Sequence, residues 1–366
     1  TQWILTAMFL GILAGWLLLV PVCSIGIIHA GGLEPGVVEL SYFAGLSAYA
    51  GSVYLLLAQR GPEWRMTLLN AAATGVLLTA AVGVYQYFFG FDELRQYVLE
   101  QEKLYGVDFS AEFKARIWDV RTYATFTFAS ALAGCLLLTG PPAVALLWRW
   151  GRRFEPVRLS QWLFAVLGGV MLFGVFLSTK GRGAFLAAVL AAAGLAVLRL
   201  KSLKLRLAAV LLGLAVIAGG AGYIHWAGRG FGSMTERVGY IITSAQMFYD
   251  EPWCGEGWGD FVHRHARMQF LGNEELAKDP HNIVASFAGQ VGIPGLLYIL
   301  SLLGLPLFWA WRRVRASREA WRWALFGGLA AFYLHAMMDL DLQVPGLMAL
   351  IILAQFALID FAPEAN

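Results

Sequence analysis

Arg182, Arg237 and His281 are the residues of this 366-residue chain whose types and placement best suit chemistry. They fall in segments that alternate to the same face of a series of long apolar runs. Guanidinium forks match phosphate oxygens in pairs, and an imidazole exchanges protons near neutral pH. The three together suit an anionic, lipid-linked substrate at a membrane surface. Around the histidine, "KDPHNIVASFAGQVGIPG" predicts a helix start, with Asp279 as N-cap, Pro280 at the first helical position and His281 and Asn282 in the first turn. That end of a helix favours a neutral imidazole and a neighbouring anion. Asn282, Ser286 and Gln290 follow at four-residue intervals, a polar stripe that lipid would penalise and that should face the bundle interior.

The arginines sit in two other outer segments. "LSTKGRGAFLAAVL" turns between apolar runs and places Lys180 and Arg182 there, with Gly181 and Gly183 leaving room for a large headgroup. Lys180 acts as a point charge where Arg182 offers a fork. "MTERVGYIITSAQMFYDEP" predicts a helix ended by Pro252, with Arg237 in its first turn, where a cation opposes the helix dipole.

Three further patterns carry less. Gly255, Gly257 and Gly259 imitate part of a nucleotide fingerprint, but no strand precedes them, which excludes that reading. Asp260, His263 and His265 lack the spacing of a metal site, so no metal ligands are assigned. Asp339 and Asp341 resemble a metal-binding carboxylate pair, yet their place between the last two apolar runs reads as a polar hairpin turn. Cys23 and Cys135 lie inside apolar runs and Cys254 is alone in a loop, which leaves no disulfide framework.

The elements that must position these residues are membrane spans. With 59% hydrophobic and 14% charged residues and a mean hydropathy of +0.63, the composition belongs in a bilayer. Apolar runs at 2–28, 36–58, 66–89, 121–148, 159–178, 184–198, 207–226, 283–310, 320–338 and 343–360 predict an all-α polytopic protein of about ten transmembrane helices. The first run is too long for a signal-peptide core and lacks a basic start and a cleavage site, so it is read as a retained span. No repeat or linker divides residues 1–366, which form a single transmembrane domain with two outer loops. The loop at 90–120 reads as amphipathic helices on the membrane surface, and that at 227–282 carries part of the site.

Short connections at 59–65, 149–158, 199–206 and 312–322 hold fifteen of the 27 Lys and Arg residues. Strict alternation puts all four on one side, cytoplasmic by the positive-inside rule, and sends Arg182, Arg237 and His281 outside. The net charge of +3 reflects those inner loops and their anionic lipids, not nucleic acid.

"TKGRGAF", "ERVGYIITSAQMFYDEPWCGEGWGDF", "DPHNIVASFAGQVGIPG" and "LHAMMDLDLQVPGLMALI" together resemble the O-antigen ligase and Wzy-type polymerase superfamily. "RTYATFTFASALAGCLLL" resembles its earlier Thr-Phe segment, without the usual Asn-Pro-Asn after it. The resemblance covers residues 121 to 355. It implies that Arg182 and Arg237 bind the pyrophosphate of an undecaprenyl-linked glycan and that His281 is the base; by position in the sequence, Lys180 is expected beside the arginines, and Asp279, Asn282, Ser286 and Gln290 are expected to support the histidine. The implied reaction is metal-independent, inverting and without cofactor. It moves the glycan to a sugar hydroxyl of lipid A-core or of a growing chain, at the periplasmic face of a bacterial inner membrane. A transporter or flippase of polyisoprenyl-linked glycans is the alternative, and it would carry charges deep in several spans. A non-catalytic scaffold would need no convergence of arginine and histidine.

Overall fold

The computed structural model describes residues 2–29, 33–60, 62–200, 202–211, 213, 232–268, 277–339 and 344–359. They are helices and turns, with no strand among the described residues. Among the described residues seven spans are long and apolar enough to cross a bilayer, and the chain is a multi-pass membrane protein. Helices α1 (Gln2–Leu17) and α2 (Leu19–His29) form the first span, and α3 (Leu33–Arg60) contains the second. Helix α4 (Pro62–Tyr85) passes through a π turn at Gln86–Gly90 into α5 (Phe91–Tyr105), and α6 (Ala111–Trp118) folds back beside it. Then come α7 (Ala129–Trp150), α8 (Val157–Ser178) and α9 (Arg182–Arg199). Beyond them lie α10 (Gly232–Asp250), α11 (Phe261–Met268), α12 (Ile283–Val314), α13 (Ala320–Ala336) and α14 (Pro345–Ala357).

Nine of the ten expected spans thus correspond to described helices. The other, 207–226, lies mostly outside the described residues. Helix α14 has 13 residues, which at ~1.5 Å per residue is shorter than a hydrocarbon core of about 30 Å. It still belongs in the membrane domain, because residues from Leu347 to Ala357 such as Ile352 and Phe356 are wholly buried against the other helices.

The four basic connections meet at one end of the bundle. Arg65 and Arg322 both face the Trp321 ring, at 5.6 and 5.3 Å from its centroid. Arg199 lies 4.2 Å over Trp323, and Arg149 Nη1 is 3.8 Å from Met66 Sδ. Such pairs let a guanidinium reach the interface while its aromatic partner stays at the apolar boundary. At the opposite end, Phe91, Val98 and Ile117 bury a small core between α5 and α6. This cover is fastened to the bundle by Gln86 Oε1, which accepts from the Tyr123 and Ala124 backbone N–H groups at 2.9 Å each.

Helix α12 is the frame of the site. It is broken at Gly292 (φ 68°, ψ −152°), where the Ile293 N–H donates to the Pro252 carbonyl at 2.7 Å. The segment from Pro252 to Gly259 docks on this break. The Glu256 and Gly257 N–H groups donate to the Gly289 and Gln290 carbonyls, and Gln290 Oε1 accepts from the Gly259 N–H at 2.7 Å. The glycines that imitate a nucleotide fingerprint are therefore a packing device, with positive φ at 255, 257 and 259.

Candidate functional site

His281 lies just before α12, in a conformation the sequence does not predict. Its φ is +54°, in the left-handed region that a non-glycine residue enters at a cost. The expected cap is corrected accordingly. Asn282, not Asp279, is the N-cap, with Oδ1 accepting from the Val284 and Ala285 N–H groups at 3.0 and 2.9 Å. Pro280 and His281 precede the helix instead of opening it. Asn282 Nδ2 also donates to the Met337 carbonyl at 2.9 Å, tying the start of α12 to the end of α13.

Asp279 has a different task. Its Oδ1 accepts from the His281 backbone N–H at 3.1 Å, and Ser286 Oγ lies 2.9 and 2.8 Å from its two carboxylate oxygens. Burial outweighs these donors and pushes its pKa up to about 6. The polar stripe does face inward: Ser286 and Gln290 are buried, and Gln290 holds the docked glycine segment.

Helix α10 crosses α12 closely, because a methyl group added at Gly289 would sit 3.1 Å from the Ser244 carbonyl oxygen. That approach carries Arg237 and Tyr240, one turn apart on the same face, to the histidine. The rings of Tyr240 and His281 stack, 5.4 Å between centroids and 20° between planes. Tyr240 is in turn held edge-on by Phe261 and His265. Thr243 Oγ1 lies 2.8 Å from the buried His265 Nδ1, and burial lowers the pKa of that histidine. His265 is therefore part of the wall behind Tyr240, while His263 is exposed.

Asp339 is the residue that draws the elements together. Its carboxylate lies 3.7 Å from Arg237 Nη2, 3.8 Å from His281 Nδ1 and 3.9 Å from the buried His335 Nε2. Asp339 stands in the turn expected after α13 and makes these contacts from it, while Asp341 lies outside the described residues. His281 Nδ1 is buried and makes no hydrogen bond among the described residues, so this carboxylate is the polar group it faces.

Arg182 opens α9 with an exposed side chain. The next residue, Gly183, abuts the site: a methyl group there would lie 3.7 Å from Met338 Cβ and 3.9 Å from Arg237 Nη1. The Arg-Gly turn, α10 and the start of α12 therefore converge as expected. Lys180 differs. Its Nζ donates to the Asp119 carbonyl and lies 2.9 Å from Asp119 Oδ1, which ties the α6 cover to the end of α8. Its expected place beside the arginines is occupied by this tether.

Sequence reasoning missed Tyr240, His335 and the role of Asp339. The signal was present in part, since His335 and Asp339 are four residues apart and share a helix face. The partner of that face comes from α10, about a hundred residues earlier, and no local pattern announces it.

Residues 122–300 match the family model described as O-antigen ligase, a stretch that includes Arg182, Arg237, Asp279 and His281 and ends before Asp339. Comparison with curated proteins gives no match. The motifs, the matched stretch and the helical membrane architecture agree in supporting the O-antigen ligase and Wzy-type superfamily.

Proposed function

We propose that the protein is a glycosyltransferase of the O-antigen ligase type, moving a glycan from an undecaprenyl-pyrophosphate donor to a sugar hydroxyl of lipid A-core at the periplasmic face of the inner membrane. The observation that carries this reading is the meeting of Arg237, Asp339 and His281, with the turn that bears Arg182 alongside. Because Nδ1 of His281 faces Asp339, Nε2 is the nitrogen left for substrate. A carboxylate on one ring nitrogen fixes the tautomer and stabilises the imidazolium that forms on proton uptake.

The acceptor hydroxyl oxygen attacks the anomeric carbon from the side opposite the pyrophosphate, and its proton passes to His281 Nε2. The bond from the anomeric carbon to the pyrophosphate oxygen breaks with inversion, and the electron pair leaves on undecaprenyl pyrophosphate. Arg182 and Arg237 meet the charge that develops there. Asp339 holds Arg237 as well as His281, which keeps the two halves of the site in register. The leaving group is already good and the cations are supplied by side chains, so the reading calls for no metal or other cofactor.

Purified protein given undecaprenyl-pyrophosphate glycan and lipid A-core tests this directly. Glycosylated lipid A-core is the expected product. Elongation of the donor glycan in place of it would make the protein a polymerase, and glycan movement across a vesicle membrane without a new glycosidic bond would make it a transporter. His281→Ala should lower turnover by about 10²- to 10⁴-fold while donor binding stays near wild type. Near-normal turnover in that variant would remove His281 as the base.

A further inference from the structure

His281 is held from three sides, and only two of them concern its ring. Tyr240 covers one ring face and Asp339 faces Nδ1. The third hold is on the backbone, through the carboxylate of Asp279, two residues earlier and 8% exposed. A left-handed φ of +54° at a histidine persists only where its surroundings impose it. Here the bond from the His281 N–H to Asp279 Oδ1 closes an Asx turn around Pro280, and Ser286, one turn into α12 and 1% exposed, fixes the carboxylate from the other side. The arrangement joins the strained residue to the rigid helix that follows it.

We propose that Asp279 is the residue that positions His281: its buried carboxylate, braced by Ser286, holds the histidine backbone in the left-handed conformation from which the ring meets Tyr240 and Asp339. The inference rests on His281 being the base. A carboxylate in a buried place is costly, and an asparagine or serine could close the same turn without that cost. The acid is what gives the turn a charge-assisted hold and places a negative charge beside the imidazole as it takes up a proton. Asp279 acts through His281 and is a positioning residue.

The charged and titratable groups around this device are few. Glu39 of α3 acts on Asp279 and disfavours its ionised form, whereas His281 and the Ser286 hydroxyl favour that form. His281 itself faces Asp339, and through it Arg237 and His335. With burial as the largest influence, Asp279 ionises near pH 6, inside the range over which transfer can be measured. Turnover should therefore fall on the acid side as the Asp279 carboxylate is protonated and its hold on the turn weakens.

The experiment is the pH profile of single-turnover transfer in four proteins: wild type, Asp279→Ala, Asp279→Asn and Ser286→Ala, each with donor affinity and thermal unfolding measured. Asp279→Ala should lose about 100-fold in turnover with donor affinity retained, the size expected from a displacement of about 1 Å at the base. Asp279→Asn keeps an oxygen for the His281 N–H but not the charge, so it should recover only part of that loss and move the acid limb to lower pH. Ser286→Ala removes a donor to the carboxylate, which disfavours the ionised form, so its acid limb should move to higher pH. Opposite displacements in the last two variants are not expected of a residue that merely stabilises the fold. If Asp279→Ala does not fold, Asp279→Asn and Ser286→Ala decide the matter. An acid limb at its wild-type position in both Asp279→Asn and Ser286→Ala overturns the proposal while leaving His281 as base. Full turnover in His281→Ala overturns the base itself.

Discussion

A histidine that takes a proton during group transfer must have one nitrogen committed and the other open. At His281 the committed atom is Nδ1, opposite Asp339 Oδ1 at 3.8 Å, a separation looser than a hydrogen bond, as catalytic contacts often are without substrate. Asp339→Asn removes the charge but keeps the shape, so it should lower turnover by at least about tenfold and weaken the hold on Arg237. Turnover in that variant close to wild type would return Asp339 to the role of a polar turn. The arginines answer to different measurements. Arg182→Ala and Arg237→Ala should each raise the donor dissociation constant as well as slow transfer, and Arg182→Lys should rescue only in part because an ammonium cannot reproduce the fork. Asp279 predicts a stability effect of opposite sign to its effect on rate. Its folded pKa of about 6 stands above the ordinary value near 3.9. Between those values the native state binds more protons than the unfolded chain, so stability falls as pH rises from about 4 to about 6. The shift corresponds to a cost on the order of 3 kcal/mol at neutral pH. Asp279→Asn should therefore unfold at the same or a higher temperature at pH 7, as thermal unfolding in detergent will show.

At the scale of elements, the site is built where helices end or break, and those points were the least legible in sequence. The polar stripe from Asn282 to Gln290 follows from helical periodicity, and its inward direction follows from the cost of exposing it to lipid. The break at Gly292 does not, because Gly and Pro are common in membrane helices without breaking them. Neither does the left-handed His281: "DPHN" satisfies the rules for a helix start, and the Asx turn made by Asp279 competes with the cap those rules assign to it. The glycine segment 255–259 was legible only as something other than a nucleotide loop. Its task, docking on Gly289 and Gln290, depends on a contact some thirty residues away. The docking makes a sharp prediction. A methyl group at Gly292 would fall 2.5 Å from the Pro252 carbonyl oxygen in a backbone conformation reserved for glycine, whereas one at Gly304 would meet nothing within 4 Å. Gly292→Ala should destabilise the protein by on the order of 2–4 kcal/mol and impair transfer. Gly304→Ala should be neutral or slightly stabilising by helix propensity. Equal melting temperatures for the two variants would show that the break is not needed.

Across the whole molecule, charge and apolar length set the plan, because both act over tens of residues and survive local irregularity. The four basic connections were predicted to share a side by alternation alone, and Arg65, Arg149, Arg199 and Arg322 do come together with Met66, Trp321 and Trp323 at one end of the bundle. The site lies at the other end, where Asn282 meets Met337 and Lys180 ties the α6 cover to Asp119. Which end faces the cytoplasm depends on the positive-inside rule, which concerns insertion of the chain and not contacts within it. Labelling of single cysteines in intact cells settles the direction. Arg153 and Arg315 are exposed at the basic end, and Tyr249, 83% exposed, lies at the C-terminal end of α10, in the segment expected outside. Arg153→Cys and Arg315→Cys should be shielded from an impermeant thiol reagent until the cells are opened, and Tyr249→Cys should react at once. The native Cys23 and Cys135 are buried, and Cys254→Ser removes the remaining background. The reverse pattern would put the arginines and His281 in the cytoplasm. A donor whose glycan is presented at the periplasmic face could not then reach them, and the proposed transfer reaction would fall with the orientation.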